Sequence, residues 1–559
     1  MIKAIKTFAT TATIACALGV AAPTIAHSEV SDDRAGSRAL DGAASFSAYF
    51  KRGRFSPPRP SPRRSTCAGI RGNGANLFAH YGVLARQVEE YGPVTCAAGG
   101  SSGSITAFVL ESIWVNPDVH LCGPLRPCGP RARDARMALL LKSFVGLSEA
   151  GIFEDLETVD ALLQRIDDDG VMEMMEGPTP VEGVIALIGI LRDLGPLINQ
   201  EAIDLLLTSP DPVFHATDII DGLQKGVQFI VDDPRVFLRT SVIDFEEAAE
   251  FIGLYGSFYA SYGPADRRAF RAWLDACARA SRGLTWSETA TLRGAGGATC
   301  GQNLIDLFNG YRDRVALVGG STRMDDRVGE FLPIFGVTGV ITGRSIAIWE
   351  EARAAWIAAA PIPFEPDFAD IGVGYWGNER ELTRIERRLD RRFADLNSMQ
   401  FTPLGETTWR EVLASSPAEP GFSPAVPLDA GVLSVGGWAD PLRILPLDAL
   451  GARETIAVNR RDGVGGFTLD VTRLLNATDA DIAALYSTED AQSSFSIGLE
   501  TATGVWCTDW DGQMSVPNLL VDDAYASPLI TENARLLRPR FGYDNVGPNF
   551  EIPGCNPAP

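Results

Sequence analysis

Residues Ser65 to Ser112 read STCAGIRGNGANLFAHYGVLARQVEEYGPVTCAAGGSSGSITAFVLES, and this stretch decides the fold. A short strand enters the glycine-bearing turn Gly69-Ile70-Arg71-Gly72-Asn73-Gly74. Leu77, Tyr81, Leu84 and Val88 follow at the spacing of a helix buried on one side. The apolar run Val94 to Ala98 suits a buried parallel strand. It ends in Gly99-Gly100-Ser101-Ser102-Gly103, and a second apolar helical stretch begins at once. Strand, glycine turn, helix, strand, serine turn, helix is the order of an α/β protein. A G-x-S-x-G turn between strand and helix is a nucleophile elbow, in which small neighbours let the backbone close around the serine. The helix behind it directs backbone N–H groups at Ser101 and favours the negative charge of a tetrahedral intermediate.

The wider chain sets the frame. It has 559 residues, 45% apolar and 21% charged, enough for a large core and more than one structural unit. A formal net charge of −22 argues against nucleic acid as a partner and against tight electrostatic binding to anionic membranes. Lys3 and Lys6, the small and apolar run Phe8 to Val20, and Thr24-Ile25-Ala26 read together as a signal peptide over 1–26. The apolar run is too short for a membrane span. Residues 27–62, rich in Ser, Arg, Pro and Asp, read as a linker or arm.

Export permits disulfides. Eight cysteines follow the leader. Cys122 with Cys128 across a short turn-rich loop is the leading pair. Cys277 with Cys300 and Cys507 with Cys555 follow from locality. Cys67 and Cys96 fall on neighbouring strands, where free buried thiols are equally expected. No C-x-x-C pair or His/Cys cluster points to zinc.

Residues 131–310 carry helix-spaced apolar residues at Met137 to Leu147, Thr158 to Ile166, Val184 to Leu194 and Phe245 to Ala260, and read as a helical insertion. It serves either as a lid over an apolar pocket or as a plain structural layer. Strand signals return at Arg314 to Val318, Leu332 to Ile341, Ala425 to Leu428 and Glu454 to Asn459. Residues 461–559 form a C-terminal extension of turns and short strand-like runs such as Phe495 to Leu499, with Trp506 and Trp510 expected to pack it onto the core.

An esterase serine needs a base. The chain has four histidines, His27, His80, His120 and His215, and none stands on a late strand–loop junction. Their scarcity and placement leave none of them well set for that role.

The chain resembles the patatin-like phospholipases. Cys67-Ala68-Gly69-Ile70-Arg71-Gly72 corresponds to the family's G-G-G-x-R-G oxyanion turn, with Cys67 and Ala68 in place of glycines. Gly82-Val83-Leu84 matches its G-V-L helix, and Gly99 to Gly103 its elbow. Ala414-Ser415-Ser416-Pro417-Ala418 resembles the A-S-x-A-x-P stretch before the acidic strand, and Asp429-Ala430-Gly431 the D-G-G motif. Leu450-Gly451-Ala452 matches L-G-A before the last strand.

The resemblance implies a three-layer α/β/α fold with a mostly parallel central sheet, split into 63–130 and 311–460 around the insertion. It implies a Ser-Asp dyad of Ser101 and Asp429, with Asp440 as the alternative base. Backbone N–H groups near Ala68, Gly69, Gly72 and Ser102 would form the oxyanion hole, with Arg71 holding the turn. No metal or cofactor is required. The implied substrate is a lipid or phospholipid ester, reached by peripheral contact with a membrane. The rivals are a lipid-binding protein without turnover, suggested by the departures at Cys67, Ala68 and Ala430, and an acyltransferase.

Overall fold

The structure is a computed structural model that describes residues 57, 59–70, 72, 77–123, 126–149, 165–193, 199–220, 245–260, 264–318, 322–341, 351, 354–355, 357–360, 371–392, 400–417, 426–427, 433–434, 445–460, 502–508, 517–526 and 529–530. The expected strand at Phe495 to Leu499, Trp510, Cys555, His27 and most of the expected helix at Thr158 to Ile166 lie outside the described residues.

The opening stretch folds in the order its pattern implies: β1 (Thr66–Ile70), α1 (Leu77–Tyr91), β2 (Val94–Gly100) and α2 (Ser102–Val115). The helices α3 (Pro130–Lys142), α4 (Phe245–Ala260), α5 (Pro264–Ala280), α6 (Trp286–Thr291) and α7 (Cys300–Val318) come next. Then follow β3 (Ile334–Ile341), β4 (Ile371–Gly377), α8 (Glu379–Arg392), β5 (Gln400–Gly405) and α9 (Trp409–Ser415). The chain continues through β6 (Val426–Pro427), β7 (Leu433–Ser434), α10 (Leu445–Leu450), β8 (Glu454–Arg460), β9 (Ala502–Thr508), α11 (Pro517–Ala526) and β10 (Leu529–Ile530).

The ten strands form one sheet in the order β10-β9-β8-β1-β2-β3-β4-β5, with the β6–β7 hairpin joined to β3. From β9 to β3 every neighbour is parallel. β4 runs antiparallel to β3, and β10 antiparallel to β9. Successive residues along the central strands enter different cores, as the two-residue side-chain period requires. Ala68, Ala97, Ile334 and Trp376 join α1, α2 and α9 on one face. Cys67, Cys96, Phe335 and Tyr375 join Leu382 and Ile385 of α8 and Leu447 and Leu450 of α10 on the other. Helices on both faces of a mostly parallel sheet make a three-layer α/β/α arrangement.

Two expectations are revised. Arg314 to Val318 is the last turn of α7, not a strand. Read alone it is a short apolar run, but Leu304, Phe308, Tyr311 and Val315 continue a helical stripe through it. Second, α1 is buried nearly all round and not on one side, with Phe78, Ala79, Val83 and Ala85 as enclosed as the expected stripe. The cover is α11, whose backbone passes so close at Gly82 that a Cβ there would overlap the Val521 carbonyl. Within the expected extension, β9 pairs in parallel with β8, so residues 502–508 continue the same sheet, with Trp506 opposite Val458.

The helical block divides in two. Helices α3 to α7 share the main core with α1 and α2, around Phe144, Tyr255, Phe258 and Phe308. Helices Val171–Glu176, Pro180–Asp193 and Gln200–Thr208 gather around a separate small core of Leu187, Leu191, Ile203 and Ile219. Val181, Ile185 and Leu207 of that unit are exposed. At the N-terminal side Arg59 pairs with Glu381 at 2.6 Å, docking the arm.

Cys122–Cys128 and Cys277–Cys300 are disulfides, and Cys67–Cys96 joins β1 to β2. Three disulfides fit an oxidising, exported environment. No helix among the described residues is long and apolar enough to cross a membrane.

Candidate active site

Ser101 stands between β2 and α2 at φ 52° and ψ −130°. Among the described residues it is one of two non-glycines with positive φ. Such a conformation costs about 1–3 kcal/mol and persists only where the surroundings over-determine it. The surroundings here are specific. The Ser101 N–H donates to Ser416 Oγ at 2.9 Å, and that hydroxyl donates to the Val337 carbonyl at 2.8 Å. The Ser101 carbonyl accepts from the Ser104 hydroxyl at 2.6 Å and the Ser104 N–H at 2.9 Å. Both backbone groups of the strained residue are thus tied, one to α2 and one across to β3.

The glycines have separate reasons. A Cβ at Gly99 would overlap the Gly103 carbonyl, so the two glycines of the G-x-S-x-G turn touch each other's backbone. A Cβ at Gly72 would lie 2.7 Å from Ser101 Cβ and 3.0 Å from the Gly100 carbonyl. Gly72 therefore lies directly against the serine. Register explains why: Ile70 is opposite Gly99, so both strands end at the same edge.

The structure brings together Gly72, Gly99, Ser101, Ser102 and Gly103 of the expected site. Ser102 opens α2, whose amide dipoles point toward the elbow. Ala68 and Gly69 sit inside β1, paired on one side with Ile456 and Ala457 and on the other with Ala97 and Ala98. Both therefore lie within the paired part of the sheet, before its elbow edge. Arg71, Asp429, Ala430 and Asp440 lie outside the described residues.

The hairpin flanking Asp429 is described. Leu433 and Ser434 pair with Ile341 and Val340 of β3, and Pro427 and Val426 pair with Leu433 and Ser434. One flank of β3 is occupied along its length by β4. The hairpin therefore lies on the flank of β2, which pairs with β3 only as far as Gly100 opposite Val337. Val340 is three residue steps along the strand from Val337, so the hairpin sits about 10 Å beyond the elbow on the same edge.

The described histidines have structural partners. His80 Nδ1 is 2.9 Å from Thr106 Oγ1, and burial pushes its pKa down to about 3. His120 Nε2 is 2.7 Å from the Trp114 carbonyl, with its pKa lowered to about 4, mainly by burial. His215 Nδ1 is 2.6 Å from Ser209 Oγ.

Behind the elbow, α2 is anchored by charge. Arg323 and Glu111 are fully buried and paired at 2.8 Å, and Arg323 also holds Asp326 at 2.8 Å. Glu111 further accepts from Trp409 Nε1 at 2.7 Å and from the Phe331 N–H at 2.9 Å. The segment from Trp409 to Ser416 thus grips α2 at Glu111 and the elbow at Ser101. Ser416 is the residue whose role sequence reasoning missed. Its signal was present in the Ala-Ser-Ser-Pro stretch, but spacing alone assigned it no contact.

No protein-family model, curated protein or solved structure matches the chain.

Proposed function

We propose that the chain is an exported patatin-like serine acyl hydrolase acting on lipid esters, with phospholipid the first substrate to test. The observation that carries this reading is Ser101, held at positive φ at a strand–helix junction with Gly72 packed against its side chain. Strain maintained by bonds from α2 and from Ser416 is what a pre-set nucleophile needs.

The Ser101 hydroxyl attacks the ester carbonyl as its proton passes to Asp429. Negative charge gathers on the former carbonyl oxygen. Amides of the turn at Gly72 and of Ser102 stabilise it, aided by the dipole of α2. Collapse expels the alcohol, which takes the proton from Asp429 and leaves an acyl group on Ser101. Water, deprotonated by Asp429, then releases the acid. Asp429 follows Pro427 by two residues, a tether of about 7 Å from a hairpin beyond the elbow, which favours it over Asp440. The exposed Val181, Ile185 and Leu207 suit contact with lipid and favour the lid reading of the unit that carries them.

The test is labelling of the purified chain by a fluorophosphonate probe, comparing wild type with Ser101→Ala, Asp429→Ala and Asp440→Ala. Labelling lost in Ser101→Ala and greatly slowed only in Asp429→Ala supports the dyad. A folded wild type that does not label refutes the hydrolase and leaves lipid binding without turnover.

A further inference from the structure

The chain is strongly acidic, with a formal net charge of −22, yet one helix gathers arginine. α8 carries Arg380, Arg384, Arg387 and Arg388, three and four residues apart, which stacks them on one side. They line a surface cavity of about 610 Å³ together with Glu379 and Thr383. Two guanidinium groups converge within it. Arg388 Nη1 lies 2.8 Å and Arg384 Nη2 3.5 Å from the same point, the Cβ position of Gly451. Arg63, just before β1, adds a further positive charge felt at Arg384.

Opposite charge answers this cluster only in part, through Glu379 in the lining and Glu381 beside it. Glu381, the acidic residue on α8 that acts on Arg384, is itself held by Arg59 at 2.6 Å. Arg388 Nη1 donates to the Ala449 carbonyl at 2.7 Å, a neutral partner. Among the described residues no carboxylate forms an ion pair with Arg63, Arg384, Arg387 or Arg388. Like charges held at one point are unfavourable unless an anion joins them. Burial, reinforced by Arg388 and Arg63, holds the Arg384 guanidinium below its ordinary value.

We propose that Arg384 and Arg388, with Arg387 and Arg63 at the margin, form a binding site for a phosphate-class anion. Planar forked guanidinium groups match the oxygens of phosphate, each able to bond two of them. The Gly451 position leaves the point of convergence free of side chain. Arg63 and Gly451 precede β1 and β8, which run from them toward the elbow edge. The anion site therefore lies at the opposite edge of the sheet, about 15 Å of strand away. It stands independently of the hydrolase reading.

The experiment titrates the purified full chain with pyrophosphate by calorimetry at low salt. A second arm measures flotation with phosphatidylglycerol vesicles against phosphatidylcholine vesicles. Saturable pyrophosphate binding, weakened tenfold or more in Arg384→Gln/Arg388→Gln and several-fold in the exposed-site variant Arg387→Gln, is expected. Pyrophosphate binding without flotation assigns the site to a soluble phosphate compound. Phosphatidylglycerol flotation lost in the same variants, without pyrophosphate binding, assigns it to a lipid headgroup. No saturable binding in either arm, or binding unchanged in variants whose thermal melts match wild type, overturns the proposal.

Discussion

Gly72→Ala tests the site most directly, because the new methyl group meets the nucleophile itself. Its carbon would lie 2.7 Å from Ser101 Cβ and 3.0 Å from the Gly100 carbonyl. Carbon atoms rest at about 3.5–4.0 Å, so the turn and the elbow must separate by about 1 Å. Neither neighbour yields freely. Ser101 is tied through its N–H to Ser416 and through its carbonyl to Ser104. The displacement therefore falls on the turn, which is the part proposed to hold the oxyanion. A misplacement of about 1 Å costs about 10²-fold in rate. Overpacking at one site costs about 1–3 kcal/mol, too little to unfold a well-formed core.

The assay is the second-order rate of fluorophosphonate labelling, with a thermal melt on the same sample. We expect labelling slowed by about two orders of magnitude and a melt lowered by only a few degrees. A Gly72→Ala protein that labels within about threefold of wild type would show that the turn does not serve the serine. The oxyanion assignment would then be wrong, whatever Ser101 does.

Ser416→Ala removes the acceptor for the Ser101 N–H and the donor to Val337; we expect a loss of about 1–3 kcal/mol in denaturant melts and slower labelling, both restored in part by Ser416→Thr. Cys277→Ala/Cys300→Ala opens a loop with a sequence separation of 23, and urea melts should show a loss of about 3 kcal/mol. His80 is held below its ordinary 6.5, at about 3, by burial. Its folded pKa is thus below its unfolded one, so the neutral form's stability is complete above about pH 6.5 and is lost as pH falls toward 3. At pH 5 the loss is about 2 kcal/mol, and melts from pH 7 to pH 5 should be flatter for His80→Gln than for wild type.

The fold around the elbow was legible because its signals are local. Gly99 and Gly103 punctuate a strand–helix junction, and Leu77, Tyr81, Leu84 and Val88 mark a helix through their own spacing. What was not legible depends on residues far apart in sequence. Nothing in α1 announces that its second face meets α11, more than 400 residues later, although Gly82 is the place where the two backbones touch. The run Arg314 to Val318 shows the opposite difficulty, since four apolar residues fit strand or helix until Leu304, Phe308 and Tyr311 are counted with them. Cys67 and Cys96 likewise fell on neighbouring strands from pattern alone, but only register brings them opposite each other. Of the candidate site, the serine and its glycines were readable, whereas Ser416 gains its role from β3 and the elbow lying side by side.

That long-range contact bears on the choice between catalyst and lipid carrier. A carrier needs a cavity and has no use for one residue in an unfavourable conformation. Ser101 sits in such a conformation, and the cost falls on the fold. The elements that enforce it are diverse: Gly72 from the first turn, Ser104 from α2, Ser416 from the end of α9 and Val337 from β3. Three of the four act through the backbone of Ser101 or Gly100 and leave the Ser101 hydroxyl to other work. The departures from the patatin-like glycine pattern, Cys67 and Ala68, fall inside β1, where both residues are paired on either side and a disulfide joins Cys67 to Cys96. They alter the strand and not the turn at Gly72. Two of the three departures that suggested a carrier therefore lose their weight, while the third, Ala430, lies outside the described residues; turnover is the reading we propose, and labelling of Ser101 decides it.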